Sequence, residues 1–462
     1  MVTATDAAAA GPSRASGWAP ELRATLALAW PLIVAQLATI ALTATDVVMM
    51  GWLGPEFLAA GSLSTAGLYP FLMFGTGVVT ATAPMISQAV GGRRRREVRR
   101  AARQGIWAAV AAAALLAPAM LMAEPLFLAL GQTPRIAALA GSYLTFAAWM
   151  FPPALVFVAL RSLVASHGET RVVLLITLVG IGVNALGNWA LMFGNFGFPR
   201  LELRGAGIST AVVHLTMATL LALYVALRGR YRRYRVFARL WRADWPRFRA
   251  VWRLGTPIGL TMAAESGLFA AAAVLMGVLG PDELAAHAVA LQLIAIAFMV
   301  PMGLSHATSV RVGLAYGAGD AAGVRRAGWV SVLLAGGFMV MTALVLWLAP
   351  RPLISIFLAL DDPANAVPVA LATGYLAVAA LFQLVDGVQV TAAAALRGLS
   401  DTTAPMAIAL FGYWALGMPV AWGLGFVLEM RGVGVWLGLA AGLACTAVVL
   451  AARFAIRSAR LG

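Results

Sequence analysis

The stretch LIVAQLATIALTATDVVMMGW at residues 32–52 is apolar over the length of a membrane crossing and carries one carboxylate, Asp46. Two further stretches share this pattern: residues 258–277 carry Glu265, and residues 376–396 carry Asp386. An ionisable group at bilayer depth costs about 2.5 to 3.5 kcal/mol, so it persists mainly where it binds an ion, a proton or a substrate. We therefore expect the chemistry of this protein at these three carboxylates.

The composition of the chain is that of an integral membrane protein. Of its 462 residues, 62% are hydrophobic and 11% are charged, and the mean hydropathy is +0.88, which is more apolar surface than a soluble fold could bury. The sequence predicts an all-α protein with twelve transmembrane helices, because twelve apolar stretches are each long enough to cross a hydrocarbon core of about 30 Å. The predicted spans are residues 24–50, 58–90, 101–122, 136–160, 170–193, 206–228, 250–278, 284–315, 327–349, 367–395, 404–428 and 434–456.

The distribution of basic residues, all 33 of which are arginine, predicts the orientation. If the first helix starts in the cytoplasm, 28 arginines lie on the cytoplasmic side and five on the other. The positive-inside rule then places both termini in the cytoplasm, and we expect a multi-pass protein of the cytoplasmic (inner) membrane. The basic run at residues 228–253 lies between two spans, so anionic membrane lipids explain it better than nucleic acid, and we expect no nucleic-acid partner.

The chain repeats itself. An offset of 226 residues aligns Pro31 with Pro257, and MGWLGPEFLAA (50–60) with MGVLGPDELAA (276–286) when one residue of slack is allowed. Each half holds six spans, an even number, so both halves enter the membrane from the same side and form a parallel repeat. The predicted organisation is a disordered cytoplasmic N-terminal segment (1–23), an N-lobe (24–228), a basic cytoplasmic linker (229–249), a C-lobe (250–456) and a cytoplasmic tail (457–462).

Several ordered motifs resemble the multidrug and toxic compound extrusion (MATE) family, and its NorM-like bacterial branch most closely. They include LGPDELAAHAVALQ (279–292), Pro301-Met302-Gly303, Asp386-Gly-Val-Gln-Val and Gly432-Val-Gly-Val-Trp436. The resemblance covers residues 24–456. It implies an antiporter that exports drugs and other xenobiotics by alternating access between two lobes, driven by inward movement of protons or sodium. We expect small-molecule drugs and membrane lipids as partners, a monomer, and no cofactor.

The resemblance also carries the family's second-lobe cation site onto Glu265 and Asp386. Two carboxylates in a low-dielectric lobe repel each other when both are ionised, and a proton or a sodium ion relieves this repulsion. Gln383 and Gln389 lie three residues to either side of Asp386, on the same helix face. The NorM pattern has a tyrosine where this chain has Phe382, which removes one oxygen ligand and favours the proton. The alternative is that both acids simply bond to neighbouring helices.

In the first lobe the resemblance groups Asp46 with Asn184 and Asn188 on the fifth helix, and with Ser209 or Thr210 on the sixth. Such a set can hold a protonated or cation-bound aspartate. Some relatives carry an acid at the position of Asn188, so this version should retain a cation less well. Hydrogen bonding between helices explains the two asparagines equally well.

Other polar residues are weaker candidates. Gln36, Thr39, Thr43, Gln292 and Phe382 could line a substrate cleft. We expect Pro31 to act as a hinge, because proline removes a helix hydrogen bond and a bend beside Asp46 would let protonation change that helix. We expect no metal site, since Cys445 is the only cysteine and the histidines do not cluster.

Three other functions can be compared with a transporter. A flippase for lipid-linked precursors shares the broader fold, but it would need basic residues for a pyrophosphate, and the predicted spans hold no arginine at depth. An intramembrane enzyme would need a nucleophile with a base, or a metal cluster, and the sequence shows neither. A channel would not need paired carboxylates. We therefore expect a transporter and not an enzyme.

Overall fold

The computed structural model describes residues 17–461. Twelve of its helices are long and apolar enough to cross a membrane, which confirms the predicted number of spans. Each predicted span overlaps one of these helices, and most of the helices extend a few residues beyond the prediction. They are α1 (Trp18–Leu53), α2 (Pro55–Gly91), α3 (Arg95–Leu121), α4 (Pro134–Ala165), α5 (Thr170–Phe193), α6 (Glu202–Leu227), α7 (Trp245–Leu279), α8 (Pro281–Gly317), α9 (Ala321–Leu348), α10 (Pro363–Gly398), α11 (Thr403–Val427) and α12 (Arg431–Ala459).

The start of α1 corrects one boundary. Residues 18–23, which we predicted to be disordered, are helical. Glu21 is buried there, and the Nε and Nη2 atoms of Arg311 donate to its carboxylate at 2.8 and 2.5 Å. The hydroxyl of Thr25, one turn later, donates to the same carboxylate at 3.3 Å. This anchoring explains why the helix begins so early; the rest of the predicted disordered segment, residues 1–16, lies outside the described residues.

Contacts divide the chain into two compact units. Of the described residues, unit 1 holds residues 34–263, and unit 2 holds residues 17–33 and 264–461. The first helix of each half therefore begins in one unit and continues in the other, and the change of unit follows closely after Pro31 in α1 and Pro257 in α7. The predicted lobe boundaries rest on the sequence repeat and stay a prediction.

Glycines allow these helix starts to pack closely inside their units. In unit 2, a Cβ added at Gly303 of α8 would lie 2.6 Å from the Cα of Ile33. In unit 1, a Cβ added at Gly77 of α2 would lie 2.4 Å from the Cα of Gly259. Such backbone contact through small residues is typical of membrane helices, where van der Waals packing drives association.

The linker between the halves folds onto unit 1. The carboxylate of Glu169 accepts hydrogen bonds from the hydroxyls of Tyr224 and Tyr231, both at 2.8 Å. His167 is buried, and its Nδ1 and Nε2 lie 2.9 Å from the carbonyl of Leu163 and 2.8 Å from the hydroxyl of Tyr234. The linker is therefore an ordered part of unit 1.

Helix α11 is irregular. It contains two π-helical segments, Phe411–Gly417 and Gly423–Val427, beside α12. A Cβ added at Gly438 of α12 would lie 2.2 Å from the backbone nitrogen of Ala421, and one added at Gly412 would lie 2.0 Å from Oγ1 of Thr446. π-helical turns are rare and often occur at functional sites, and the first of these segments carries a residue of the candidate site.

Candidate functional site

Unit 1 brings three of the predicted site residues together. Oδ1 of Asp46 accepts hydrogen bonds from the side-chain nitrogens of Asn184 at 2.9 Å and Asn188 at 2.6 Å. The two asparagines lie one turn apart on α5, so both amides reach the same carboxylate. Both are fully buried, whereas Asp46 is partly exposed. The arrangement holds a carboxylate through two fixed donors and leaves one side of it accessible.

Three residues from α4 and α6 complete this site. Tyr143 is buried, interacts electrostatically with Asp46 and is hydrogen bonded to the side chain of Thr210. The hydroxyl of Ser209 donates to the backbone carbonyl of Asn184 at 3.4 Å. Thr210 thus reaches Asp46 through Tyr143, a residue that the sequence analysis missed because nothing in the α4 pattern distinguishes it from an interfacial aromatic residue.

Unit 2 brings the other two carboxylates into one electrostatic site. Asp386 on α10 interacts with Glu265 on α7. Asp386 is 5% exposed, and its Oδ1 is buried with no hydrogen-bond partner among residues 17–461. No ion pair within 4 Å involves either acid in the described part of the chain. The pair therefore has lone pairs available for a cation.

Helix α11 joins the two helices of this pair. The side-chain nitrogen of Gln389 donates to the hydroxyl of Tyr413 at 2.7 Å, and Tyr413 interacts with both Glu265 and Asp386. The neighbouring Trp414 donates its ring N–H to the carbonyl of residue 264 at 3.2 Å. Tyr413 lies in the first π-helical segment, and this local change of period directs consecutive aromatic residues toward α10 and α7.

The other two predicted residues of this region have neutral partners. Oε1 of Gln383 accepts a hydrogen bond from the hydroxyl of Thr342 on α9 at 2.8 Å. Phe382 is fully buried between the rings of Phe269 and Trp436, at centroid distances of 6.0 and 5.9 Å. Phe382 is therefore a core residue of unit 2 and not part of an exposed lining.

The remaining candidates are on helix surfaces. Thr39 and Thr43 are exposed, and their hydroxyls donate to carbonyls one turn earlier in α1, at 3.0 and 3.4 Å. Gln36 on the same helix is partly buried, and Gln292 on α8 is exposed. These positions are compatible with contact to a substrate, and their role stays a prediction. The described residues contain no group of three or more His, Cys, Asp or Glu that could hold a metal ion.

Two of the predicted spans end too early, and each of the helices concerned contains an additional arginine. Arg161 and Arg397 fall in loops by the sequence analysis, but α4 extends to Ala165 and α10 to Gly398, so both lie inside helices. Arg397 interacts electrostatically with Glu265 and Tyr413. The sequence argument that the spans lack inner arginines therefore does not apply to the ends of these helices.

Comparison with known protein families identifies the family to which the chain belongs. The MatE family model matches it twice, over residues 31–190 and 257–422. The chain belongs to the MatE family. The two matches begin at Pro31 and Pro257, the pair that the predicted repeat aligns. The family model thus supports both the resemblance and the internal repeat.

Relatives in the MatE family match along almost the whole chain. A probable multidrug resistance protein NorM of Mesorhizobium japonicum is 45% identical over 98% of this chain and 97% of its own length. One of Brucella suis is 45% identical over 96% of this chain and 94% of its own. Among solved structures, a eukaryotic MATE transporter, AtDTX14, superposes with a TM-score of 0.83 at 20% identity, covering 96% of this chain and 100% of that one. The chain thus shares the NorM sequence family and the MATE fold, and is a multi-pass membrane protein.

Proposed function

We propose that this MatE protein is a cation-coupled antiporter that exports drugs and other xenobiotics by alternating access between its two lobes. Relatives that carry the name multidrug resistance protein support the substrate class. The observation on which the coupling rests is the pair Glu265 and Asp386, two interacting carboxylates with no ion-pair partner within 4 Å in the described chain.

Binding of a cation at this pair would lower the electrostatic energy of unit 2. When both acids are ionised they repel each other at low dielectric, and one proton or sodium ion removes that repulsion. A cation that binds more tightly in one lobe orientation stabilises that orientation by its difference in affinity. If drug binds better in the other orientation, cation and drug weaken each other's binding to the same degree, as exchange requires.

We propose the proton as the coupling ion, with sodium as the alternative. A proton needs only one carboxylate oxygen, whereas a sodium ion needs several oxygen ligands to replace its water. The phenyl ring of Phe382 provides no oxygen, and Gln383 is engaged with Thr342. Near the pair, Gln389 and Tyr413 remain as neutral residues whose side-chain oxygens could coordinate a cation.

We propose Asp46 as a second, coupled site in unit 1. Its two asparagine donors hold one carboxylate oxygen, and its accessible side would meet a proton or a cationic drug. We further propose that the protein is a monomer of the inner membrane with both termini in the cytoplasm, where its basic linker contacts anionic lipids.

Transport in proteoliposomes tests the function. Purified protein should move a fluorescent cationic dye against an imposed proton gradient, and Glu265→Gln and Asp386→Asn should each abolish this while the protein stays folded. Glu56→Gln is the matched control, since Glu56 is an exposed acid paired with Arg135. Dye transport by either site variant at the wild-type rate would contradict the assignment, and equal transport without any cation gradient would contradict antiport.

A further inference from the structure

A cluster of polar side chains is buried at the end of unit 2 where α8 and α12 begin. Four side chains that are at most 1% exposed form this polar cluster: Glu283 and His287 on α8, Tyr375 on α10 and Trp436 on α12. Among residues 17–461, no hydrogen-bond partner exists for Oε2 of Glu283, either ring nitrogen of His287, the hydroxyl of Tyr375 or the ring nitrogen of Trp436. Buried polar atoms of this kind are usually satisfied by ordered water.

The atoms of the polar cluster are close enough to share water. A Cβ added at Gly432 of α12 would overlap the hydroxyl oxygen of Tyr375 and would lie 2.7 Å from Oε2 of Glu283, so both oxygens border the same point. One turn further along α8 and α12, the rings of His287 and Trp436 lie 5.4 Å apart between centroids. None of these contacts is a direct hydrogen bond, and polar groups more than about 3.5 Å apart are commonly bridged by water. The polar cluster therefore has the chemistry of a hydrated pocket.

An ion pair lies on the surface side of the polar cluster. Nε of Arg431, at the start of α12, donates to Oε1 of Glu283 at 2.6 Å, and the arginine side chain is 62% exposed. Glu283 is thus held by an exposed arginine at one oxygen, while its other oxygen lies beside Tyr375. The charged or titratable groups near His287 are therefore Glu283, one turn earlier on α8, Tyr375 on α10 and Arg431 on α12.

On its other side the polar cluster leads toward the carboxylate pair. Tyr375 precedes Asp386 by eleven residues, about three turns, so the two residues lie on the same face of α10. The ring of Trp436 lies 5.9 Å from that of Phe382 between centroids, and Asp386 follows Phe382 by one turn. The polar cluster therefore lies between an exposed ion pair and Asp386, and two aromatic rings separate it from Asp386.

The repeat indicates that the fold does not require these polar residues. The offset of 226 residues that aligns the two halves places Phe57 and Gly61 opposite Glu283 and His287. The second half, which holds the carboxylate pair, thus has two ionisable residues where the first half has a phenylalanine and a glycine. Ionisable residues within membrane spans are costly and mark the paths of ions and protons.

We infer that Glu283, His287 and Tyr375 line a hydrated route for protons between the outer surface and Asp386, in which His287 accepts and releases the proton. This inference rests on the proposed function and on its orientation, in which α8 begins on the outer side. A neutral imidazole accepts a proton at one nitrogen and releases another from the second nitrogen, so its charge is unchanged after each transfer. The last transfer, past Phe382 to Asp386, goes through water, because the phenyl ring has no exchangeable proton.

Stopped-flow measurement of proton release tests the route. Purified protein in detergent is mixed with a cationic dye, and a pH indicator reports the amount of proton released, which depends on the carboxylate pair, and its rate, which depends on the route. His287→Ala should release the wild-type amount at least about tenfold more slowly, and added imidazole should restore the rate, whereas an amine buffer of equal capacity should not. His214→Ala, which changes a histidine of α6 in unit 1, should keep the wild-type rate. A wild-type rate in His287→Ala, or a slow rate that imidazole does not restore, would overturn the inference.

Cysteine labelling tests the hydration of the route independently of proton coupling, and it also covers the case in which His287→Ala is not folded. In a Cys445→Ala background, His287→Cys should react with a small water-soluble thiol reagent in proteoliposomes. Ala290→Cys, at a fully buried apolar position of the same helix, should not react. Equal reaction rates at the two positions would overturn the inference. Absence of proton release from the wild type on dye binding would instead refute the proposed proton coupling, and labelling would still show whether the polar cluster holds water.

Discussion

Asn188 donates its amide hydrogen to the carboxylate of Asp46 across 2.6 Å, and Asn184 donates to the same oxygen. The surroundings of Asp386 in unit 2 are different. Its buried Oδ1 has no hydrogen-bond partner among the described residues, and it interacts electrostatically with the carboxylate of Glu265. The two units therefore surround their carboxylates with different partners: two amide donors at Asp46 and a second carboxylate at Asp386.

Asp46→Asn should keep the fold and lose most transport. The new amide oxygen can still accept from both asparagines, so the hydrogen bonds survive, but the charge is lost. We expect dye efflux to fall at least about tenfold with an unchanged thermal unfolding midpoint. The control is Asp282→Asn, which changes an exposed acid at the start of α8. Efflux at the wild-type rate from Asp46→Asn would exclude Asp46 from coupling.

Phe382→Tyr should increase sensitivity to sodium. The new hydroxyl lies one turn before Asp386, where an additional oxygen could help replace the water of a sodium ion. We expect wild-type efflux to persist in sodium-free buffer under a proton gradient, and the variant to respond to sodium. Phe269→Tyr, which adds a hydroxyl to a neighbouring ring of the same cluster, is the control. Wild-type efflux that stops without sodium would show that other oxygens complete a sodium site.

Tags in the 229–244 linker and at the C-terminus should both report the cytoplasm. The 28 arginines on one side and five on the other determine this orientation. The measurement is reporter activity or cysteine labelling in intact cells, and a tag between α1 and α2 is the control, which should report the outside. Opposite locations for the linker and the C-terminus would mean an odd number of spans between them.

Gly438→Ala should destabilise unit 2 strongly. Its new Cβ would lie 2.2 Å from the backbone nitrogen of Ala421, where no flexible side chain can move aside. We expect a loss of at least about 1 to 3 kcal/mol, visible as a lower thermal unfolding midpoint in detergent. Gly337→Ala is the control, because nothing lies within 4 Å of its added Cβ. Equal midpoints for the two variants would show that α11 and α12 are not packed this closely.

His167 should make stability fall as the pH falls. Burial lowers the pKa of His167 from 6.5 to about 4, and the carbonyl of Leu163 and the hydroxyl of Tyr234 suit a neutral ring. The unfolded chain therefore binds the proton first, and up to about 3 kcal/mol is lost between pH 6.5 and about 4. His167→Gln should flatten the unfolding midpoint over this range. An unchanged pH dependence in that variant would mean that other groups cause it.

The sequence predicted the features of the structure that recur along the chain. Hydrophobic length predicted the twelve helices, and the offset of 226 residues predicted the two matches to the MatE model. Three carboxylates stood out because charge is rare in apolar helices. Their partners Tyr143, Tyr413 and Arg397 did not, since aromatic residues and helix-end arginines are common in membrane proteins and their proximity depends on packing between distant helices. The π-helical segments of α11 change the local period, so a regular helical pattern could not place Tyr413.

The helix starts that change unit also bear on how such a chain could have arisen. Residues 18–33 open the first helix of the first half but belong to unit 2, and residues 245–263 open the first helix of the second half but belong to unit 1. If the two halves arose by duplication of one gene, a single half would have lacked the first helix segment of its own unit unless a second copy supplied it. The ancestor would then have been an obligate pair that swapped its leading segments, and fusion through the linker converted an association between subunits into one within a single polypeptide.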